Sequence, residues 1–140
     1  MSIVNNQVDI LFVSCSEKYL LKKSIKSIFN QSFKNWRLLL VDDASFDREV
    51  YKYLRSLEKN YKNIRVFRNK KPLGLTQSLI NLYPFIESEF IARLDSGDEW
   101  DFDKLKLQVD YLNSTKEVGL VGTQVRFSIE SGKIVRYSSY

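Results

Sequence analysis

SIKSIFNQSFKNWRLLLVDDASFD, Ser24 to Asp47, passes from helix to strand to acidic turn within one short span. Ile25, Ile28 and Phe29 continue an apolar stripe begun at Leu21, with Lys22, Lys23 and Lys26 on the opposite, wet side, which is helical spacing. Leu38 to Val41 is a continuous apolar run of strand length, and it ends abruptly in Asp42, Asp43, Ala44 and Ser45. A run without polar alternation is the signature of a strand buried on both faces.

The same alternation extends outward from this segment. Further apolar runs stand at Ile10–Val13, Ile64–Phe67, Phe90–Leu94 and Val118–Val121. Helical stripes lie between them: Val50, Leu54, Leu57 and Tyr61; Leu75, Leu79 and Leu82, which Pro84 ends; and Phe102, Leu105, Val109 and Leu112. A repeated strand-helix order closed by a fifth strand predicts an α/β fold, a mostly parallel twisted sheet with helices on both faces. VRFSIESGKIVRY, Val125 to Tyr137, reads as a C-terminal β-hairpin turning at Glu130–Lys133. With no internal repeat and no linker tract, residues 1–140 are expected to form a single domain.

Composition narrows the function classes. The 44% hydrophobic and 14% aromatic content supports one packed core and argues against disorder. The formal charge of +5 suits contact with phosphates, on nucleotides, on nucleic acid or at an anionic membrane surface, and does not choose among them. Cys15 is the only cysteine and there is no histidine, which excludes an intrachain disulfide and the usual zinc ligand sets. No apolar run reaches the ~20 residues of a membrane span, and the polar start from Met1 to Gln7 does not read as a secretory signal. The expectation is a cytoplasmic protein, peripheral at most.

Parallel sheets bind ligands beyond the carboxyl ends of their strands. The first strand runs into Ser14, Cys15 and Ser16, the second into Asp42 and Asp43, and the fourth into Asp95, Ser96, Gly97 and Asp98. These segments share one edge if the strands are parallel. Carboxylates brought together there repel, and a hard divalent ion that also takes phosphate oxygens is the simplest neutraliser. The plainer alternative is helix capping, by Asp43 or Ser45 for the second helix and by Asp98 or Asp101 for the fourth. Cys15 reads as a small semi-buried residue, and Lys70 and Lys71 as loop decoration.

The chain resembles the inverting family 2 glycosyltransferases over about Val8 to Thr123. The resemblance rests on Ser24–Asp47 together with GLTQSLI from Gly74, FIARLDSGDEW from Phe90 to Trp100, and KLKLQVDYLNSTKEVGLVGT from Lys104 to Thr123, in that order. It implies a GT-A, Rossmann-like fold that binds a nucleoside diphosphate sugar, commonly a UDP-sugar, and transfers the sugar with inversion. It further implies donor contacts from Ser14, Cys15, Ser16, Asp42, Asp43, Arg93 and Asp95. Within that set Asp43 would meet the base and Asp95 the ribose and metal. Asp98 would join Asp95 in holding Mn²⁺ or Mg²⁺. An acceptor that is a saccharide or lipid-linked, in surface polysaccharide synthesis and with peripheral membrane contact, belongs to the same implication.

The pattern is broken at three points. Val13–Ser16 replaces the common Pro-Thr-aromatic-Asn, Gly97 stands where the motif's second Asp is usual, and family members continue well past the equivalent of Tyr140. No catalytic base is assigned, since Glu130 sits at the expected hairpin tip. The last departure makes a non-catalytic nucleotide-binding module the main rival. A phosphoacceptor receiver fits poorly, because its acidic pair should follow the first strand. Nucleic-acid binding fits worst, because the basic residues are scattered and the binding edge is acidic.

Overall fold

The computed structural model describes residues 8–14, 18–129 and 134–137. The chain divides into two compact units, Met1–Val109 and Asp110–Tyr140.

In the first unit the elements run β1 (Val8–Ser14), α1 (Lys18–Phe29), β2 (Trp36–Asp42), α2 (Arg48–Asn60), β3 (Ile64–Arg68), α3 (Leu75–Leu82), a 3₁₀ turn at Tyr83–Phe85, β4 (Phe90–Asp95) and α4, which begins at Lys104 and ends at Ser114. The four strands form one parallel sheet in the order β3-β2-β1-β4. Both central strands bury nearly every side chain, as their unbroken apolar runs require.

The order fixes where the helices lie. From β1 through β2 to β3 the chain advances one way, and α1 and α2 cover one face. Their Leu21, Ile25, Ile28, Val50, Leu54 and Leu57 pack with Ile10, Phe12, Leu38, Leu40 and Ile64. The step from β3 back across to β4 reverses direction. A right-handed crossover then puts α3 on the opposite face, where Leu82 and Leu79 pack on Leu11, Leu39 and Val41. The expected flanking of both faces is observed, and the reversal leaves a crevice between the carboxyl ends of β1 and β4.

The amino end of the sheet is closed by ion pairing. Asp9, fully buried in β1, accepts both Arg37 Nε and Nη2 at 2.8 Å and the backbone N–H groups of Glu87 at 2.8 Å and Ser88 at 3.1 Å. Burial pushes its carboxyl up, but the Arg37 and backbone hydrogen bonds together hold it below the usual range. Arg37 also donates to Phe85 O at 3.0 Å and pairs with Glu87 at 2.6 Å, so the turn before β4 is tied to the sheet.

Two expectations need correction. Val118–Val121 forms no strand, and Leu120 is 89% exposed. Gly119 lies inside this short run and Gly122 just beyond it, and glycine weakens a strand. Phe102 precedes α4 and is exposed, so the apolar stripe of that helix rests on Leu105 and Val109. In the second unit β5 (Arg126–Ser128) and β6 (Ile134–Tyr137) pair antiparallel, with an irregularity between Phe127 and Ser128. Arg136 lies over the Phe127 ring at 4.9 Å. The expected turn at Glu130–Lys133 is outside the described residues.

Candidate functional site

Strand register assembles the site. Ser14 stands opposite Asp42, Val13 opposite Asp95, and Asp42 opposite Arg68. The ends of β1, β2 and β4 therefore form one rim, bringing together Ser14, Asp42, Asp43, Arg93, Asp95 and Asp98. Cys15 and Ser16, also expected there, lie outside the described residues.

Ser14 is fully buried, and its Oγ has no hydrogen-bond partner among the described residues. Asp42 is also fully buried. Its Oδ1 accepts the N–H of Ser45 at 2.9 Å and the Ser45 hydroxyl, while its Oδ2 has no hydrogen bond and sits 3.4 Å from Arg68 Nε. The tight reversal puts Ala44 at φ 56°, a left-handed conformation uncommon for a residue with a Cβ. Arg68 closes this corner, stacked 4.5 Å over the Tyr51 ring and donating to Ser45 O at 3.2 Å.

Asp43 does something sequence spacing did not suggest. Its Oδ1 accepts Asn69 Nδ2 at 2.7 Å and the N–H of Leu73 at 2.8 Å, and its Oδ2 accepts the N–H of Gly74 at 2.9 Å. Partial burial raises its pKa, but the bonds from Asn69, Leu73, Gly74 and Ser78 outweigh that and keep the carboxyl below the usual range. Asp43 thus organises the loop into α3, with Gly74 at φ 80° as the helix N-cap. The cap of α2 is Asp47, whose Oδ1 accepts the N–H of Glu49 at 2.8 Å, so the capping alternative for Asp43 and Ser45 fails.

On β4, Arg93 and Asp95 lie two residues apart on the same face. Arg93 Nε donates to Asp95 Oδ1 at 2.8 Å, and its Nη2 to Oδ2, a bidentate pair that raises the arginine pKa. A turn follows, with the N–H of Asp98 donating to Asp95 O at 3.1 Å and Gly97 at φ 101°. The Asp98 carboxyl is pushed above its usual range by desolvation and then by the charge of Asp95, with Arg93 acting the other way. Nor does Asp98 cap α4 at Leu105, whose N–H donates to Gln31 Oε1 at 3.0 Å.

Could these residues hold a metal? Among the described residues no three His, Cys, Asp or Glu side chains cluster as a ready-made ligand set. Asp95 and Asp98 offer oxygen ligands only. Mg²⁺ and Mn²⁺ are commonly held by one or two carboxylates, with water and substrate phosphates completing the shell. The raised pKa of Asp98 comes first from burial and only then from the charge of Asp95. The donor set fits such an ion, provided that it uses carboxylate lone pairs Arg93 leaves open.

A family model described as "Glycosyl transferase family 2" matches residues 9–140. The chain belongs to family 2 of the glycosyltransferases. One relative is the UDP-Glc:alpha-D-GlcNAc-diphosphoundecaprenol beta-1,3-glucosyltransferase WfgD of Escherichia coli. It is 30% identical over 105 residues, 75% of this chain and 40% of that protein. The chain spans about two fifths or less of the length of such curated relatives. Among solved structures, S. aureus TarS 1-349 in complex with UDP matches with TM-score 0.70 and 17% identity, over 77% of this chain and 32% of that one. The mannosyltransferase PcManGT of Pyrobaculum calidifontis, in complex with GDP-Man and Mn²⁺, matches with TM-score 0.67 and 17% identity, over 75% and 32%. These likenesses establish the GT-A, Rossmann-like fold, the glycosyltransferase N-terminal part.

Several residues of the family 2 rim escaped sequence reasoning. Asn69, Gly74 and Ser78 surround Asp43, and Ser24 and Ser27 of α1, with Gln31 just after it, contact the loop after β4. Gly74 lay in a block quoted for the resemblance, without a role. The α1 residues carried a usable signal, polar side chains repeating at helical spacing beside the apolar stripe.

Proposed function

We propose that this chain is the donor-binding part of an inverting glycosyltransferase, which takes a UDP-sugar in the crevice between β1 and β4. The observation that carries the reading is the Asp95–Asp98 turn at the point where the sheet order reverses. WfgD acts with a UDP-sugar on a diphosphoundecaprenol-linked sugar, TarS binds UDP and PcManGT binds Mn²⁺, which support the same donor class, metal and lipid-linked or saccharide acceptor.

In this reading the buried Ser14 Oγ and the remaining lone pair of Asp43 Oδ2 receive the nucleoside, Asp43 accepting an N–H of the base. Asp95 meets the ribose. Asp95 and Asp98 would hold Mn²⁺ or Mg²⁺, which offsets negative charge on the departing diphosphate. Arg93 orients Asp95 through its bidentate pair. Inversion calls for one base on the acceptor side, which these residues do not supply. No helix among the described residues is long and apolar enough to cross a membrane. A cytoplasmic location, with peripheral contact at the inner membrane face, suits a lipid-linked acceptor.

A second reading has its own observation: Arg93 already neutralises Asp95, and Gly97 removes a carboxylate from the motif. A non-catalytic module that binds nucleotide without metal would look the same. Calorimetric titration with UDP, once with Mn²⁺ and once with excess chelator, separates them. The transferase reading expects Mn²⁺ to strengthen UDP binding, and equal affinities in the two titrations would favour the module.

A further inference from the structure

Helix α1 carries a buried polar ladder on the flank of its apolar stripe. Ser24 and Ser27 of α1 and Gln31 just past its end are 0%, 6% and 0% exposed, and the two serines, three apart, share one helix face. Burying polar side chains is unfavourable unless each finds a partner. Here every partner off the helix belongs to the segment that follows β4. Ser24 Oγ accepts the N–H of Gly97 at 2.9 Å, and Ser27 Oγ accepts that of Trp100 at 3.0 Å. Gln31 Nε2 donates to Asp101 O at 2.7 Å, while its Oε1 accepts the N–H of Leu105 at 3.0 Å.

The direction of these bonds is fixed. Each serine hydroxyl has one proton, and each gives it to its own helix, Ser24 to Leu20 O at 3.2 Å and Ser27 to Ser24 O at 2.7 Å. The oxygens are left as acceptors facing the loop, and the loop's buried N–H groups need acceptors. Ser24 holds Gly97, the second of the two residues between Asp95 and Asp98, in the turn that sets the separation of the two carboxylates. Gly97 has φ 101° and nothing within 4 Å of where a Cβ would stand, so packing around this glycine does not hold the turn in place.

Resting on the donor-site reading above, we propose that Ser24, and Ser27 behind it, are positioning residues for the Asp95–Asp98 turn, fixing from beneath the carboxylate spacing that a divalent ion requires. The ligand class is a hard divalent cation carried on a nucleoside diphosphate. Residues that orient metal ligands without touching the metal commonly change metal affinity by about 10–100-fold when removed.

The test measures UDP affinity of the chain with Mn²⁺ and with chelator, for the parent, Ser24→Ala and Ser27→Ala, together with amide hydrogen exchange at Gly97 and Trp100. The ratio of the two affinities should fall about tenfold or more in Ser24→Ala and less in Ser27→Ala. Exchange should quicken at Gly97 in the first and at Trp100 in the second. A purely structural role would lower the melting temperature and leave the ratio unchanged, and that result in either variant that folds overturns the proposal. If Mn²⁺ does not strengthen UDP binding to the parent, the metal-dependent donor site itself falls, and this inference with it. If it does so equally in the parent and both variants, only the inference falls.

Discussion

The two ends of β1 bury polar groups in opposite ways. At the amino end Asp9 has each carboxylate oxygen bonded, to Arg37 and to backbone N–H groups of the segment before β4. At the carboxyl end Ser14 Oγ is buried without a hydrogen bond among the described residues, and the buried Asp42 Oδ2 has only the ion pair with Arg68 at 3.4 Å. A saturated buried carboxylate ties chain segments together and has no capacity left for a ligand. Unsatisfied buried atoms destabilise the free protein and are retained where something else bonds them. The difference is one of capacity: the Asp9 carboxylate is bonded on both oxygens while Ser14 Oγ is open. An open buried group is not confined to the carboxyl end, since Trp36 Nε1 and Ser88 Oγ near the amino end also lack a hydrogen-bond partner among the described residues.

The contrast breaks most readily at Asp9. Asp9→Ala should lower unfolding free energy by about 3 kcal/mol in denaturant titration, because it removes the acceptor of Arg37 Nε and Nη2 and of the Glu87 and Ser88 N–H groups and leaves Arg37 only Glu87 and Phe85 O. UDP affinity of the folded fraction should not change. A loss of binding without a loss of stability would reverse the assignment of the two ends.

Asp43→Ala sharpens the comparison from the other side. Uridine affinity should drop by about 1.5–3 kcal/mol by calorimetry if the carboxylate accepts from the base. Because Asp43 also holds Leu73 and Gly74, amide exchange in the loop before α3 should quicken in the same variant. Quickened exchange with unchanged uridine affinity would make Asp43 a loop anchor alone.

Ser14→Ala should leave stability unchanged or raise it by about 1 kcal/mol, since it removes an unsatisfied hydroxyl, and should weaken UDP. A clear destabilisation would mean that Ser14 belongs with Asp9 as architecture.

Asp98 gives the smallest effect on stability. Its folded pKa is raised, so the folded chain favours the neutral form, and Asp98→Asn should melt within about 0.5 kcal/mol of the parent or slightly above it. The variant should lose most of its Mn²⁺ response. In the parent, that response should fade as pH falls, starting above the range of an ordinary aspartate, because protonation removes the ligand. A response that persists unaltered in Asp98→Asn would leave Asp98 outside the metal site.

The sequence announced the sheet because Ile10–Val13 and Leu38–Val41 are buried on both faces and show no alternation. It also announced which ends of the strands matter, through the aspartates that stop them. Apolar content could not tell Leu38–Val41, which has strands on both sides, from Val118–Val121, which does not form a strand. The roles of Asp43, Ser24 and Gln31 were hidden for a related reason. Each bonds backbone far away in sequence, and a backbone N–H carries no letter to read. Spacing suggested local caps, whereas the structure caps α2 with Asp47 and bonds the Leu105 N–H of α4 to Gln31.

Gly97, at φ 101° with open space around it, bears on how this motif diverges among homologues. The common spelling places an aspartate there, and room for the side chain is not the obstacle. The obstacle is torsional: a residue with a Cβ held in a sparsely populated conformation costs of order 1–3 kcal/mol. Exchange between the two spellings is therefore a change of backbone path as well as of side chain. A graft of the aspartate alone at Gly97 would carry this torsional cost into the turn.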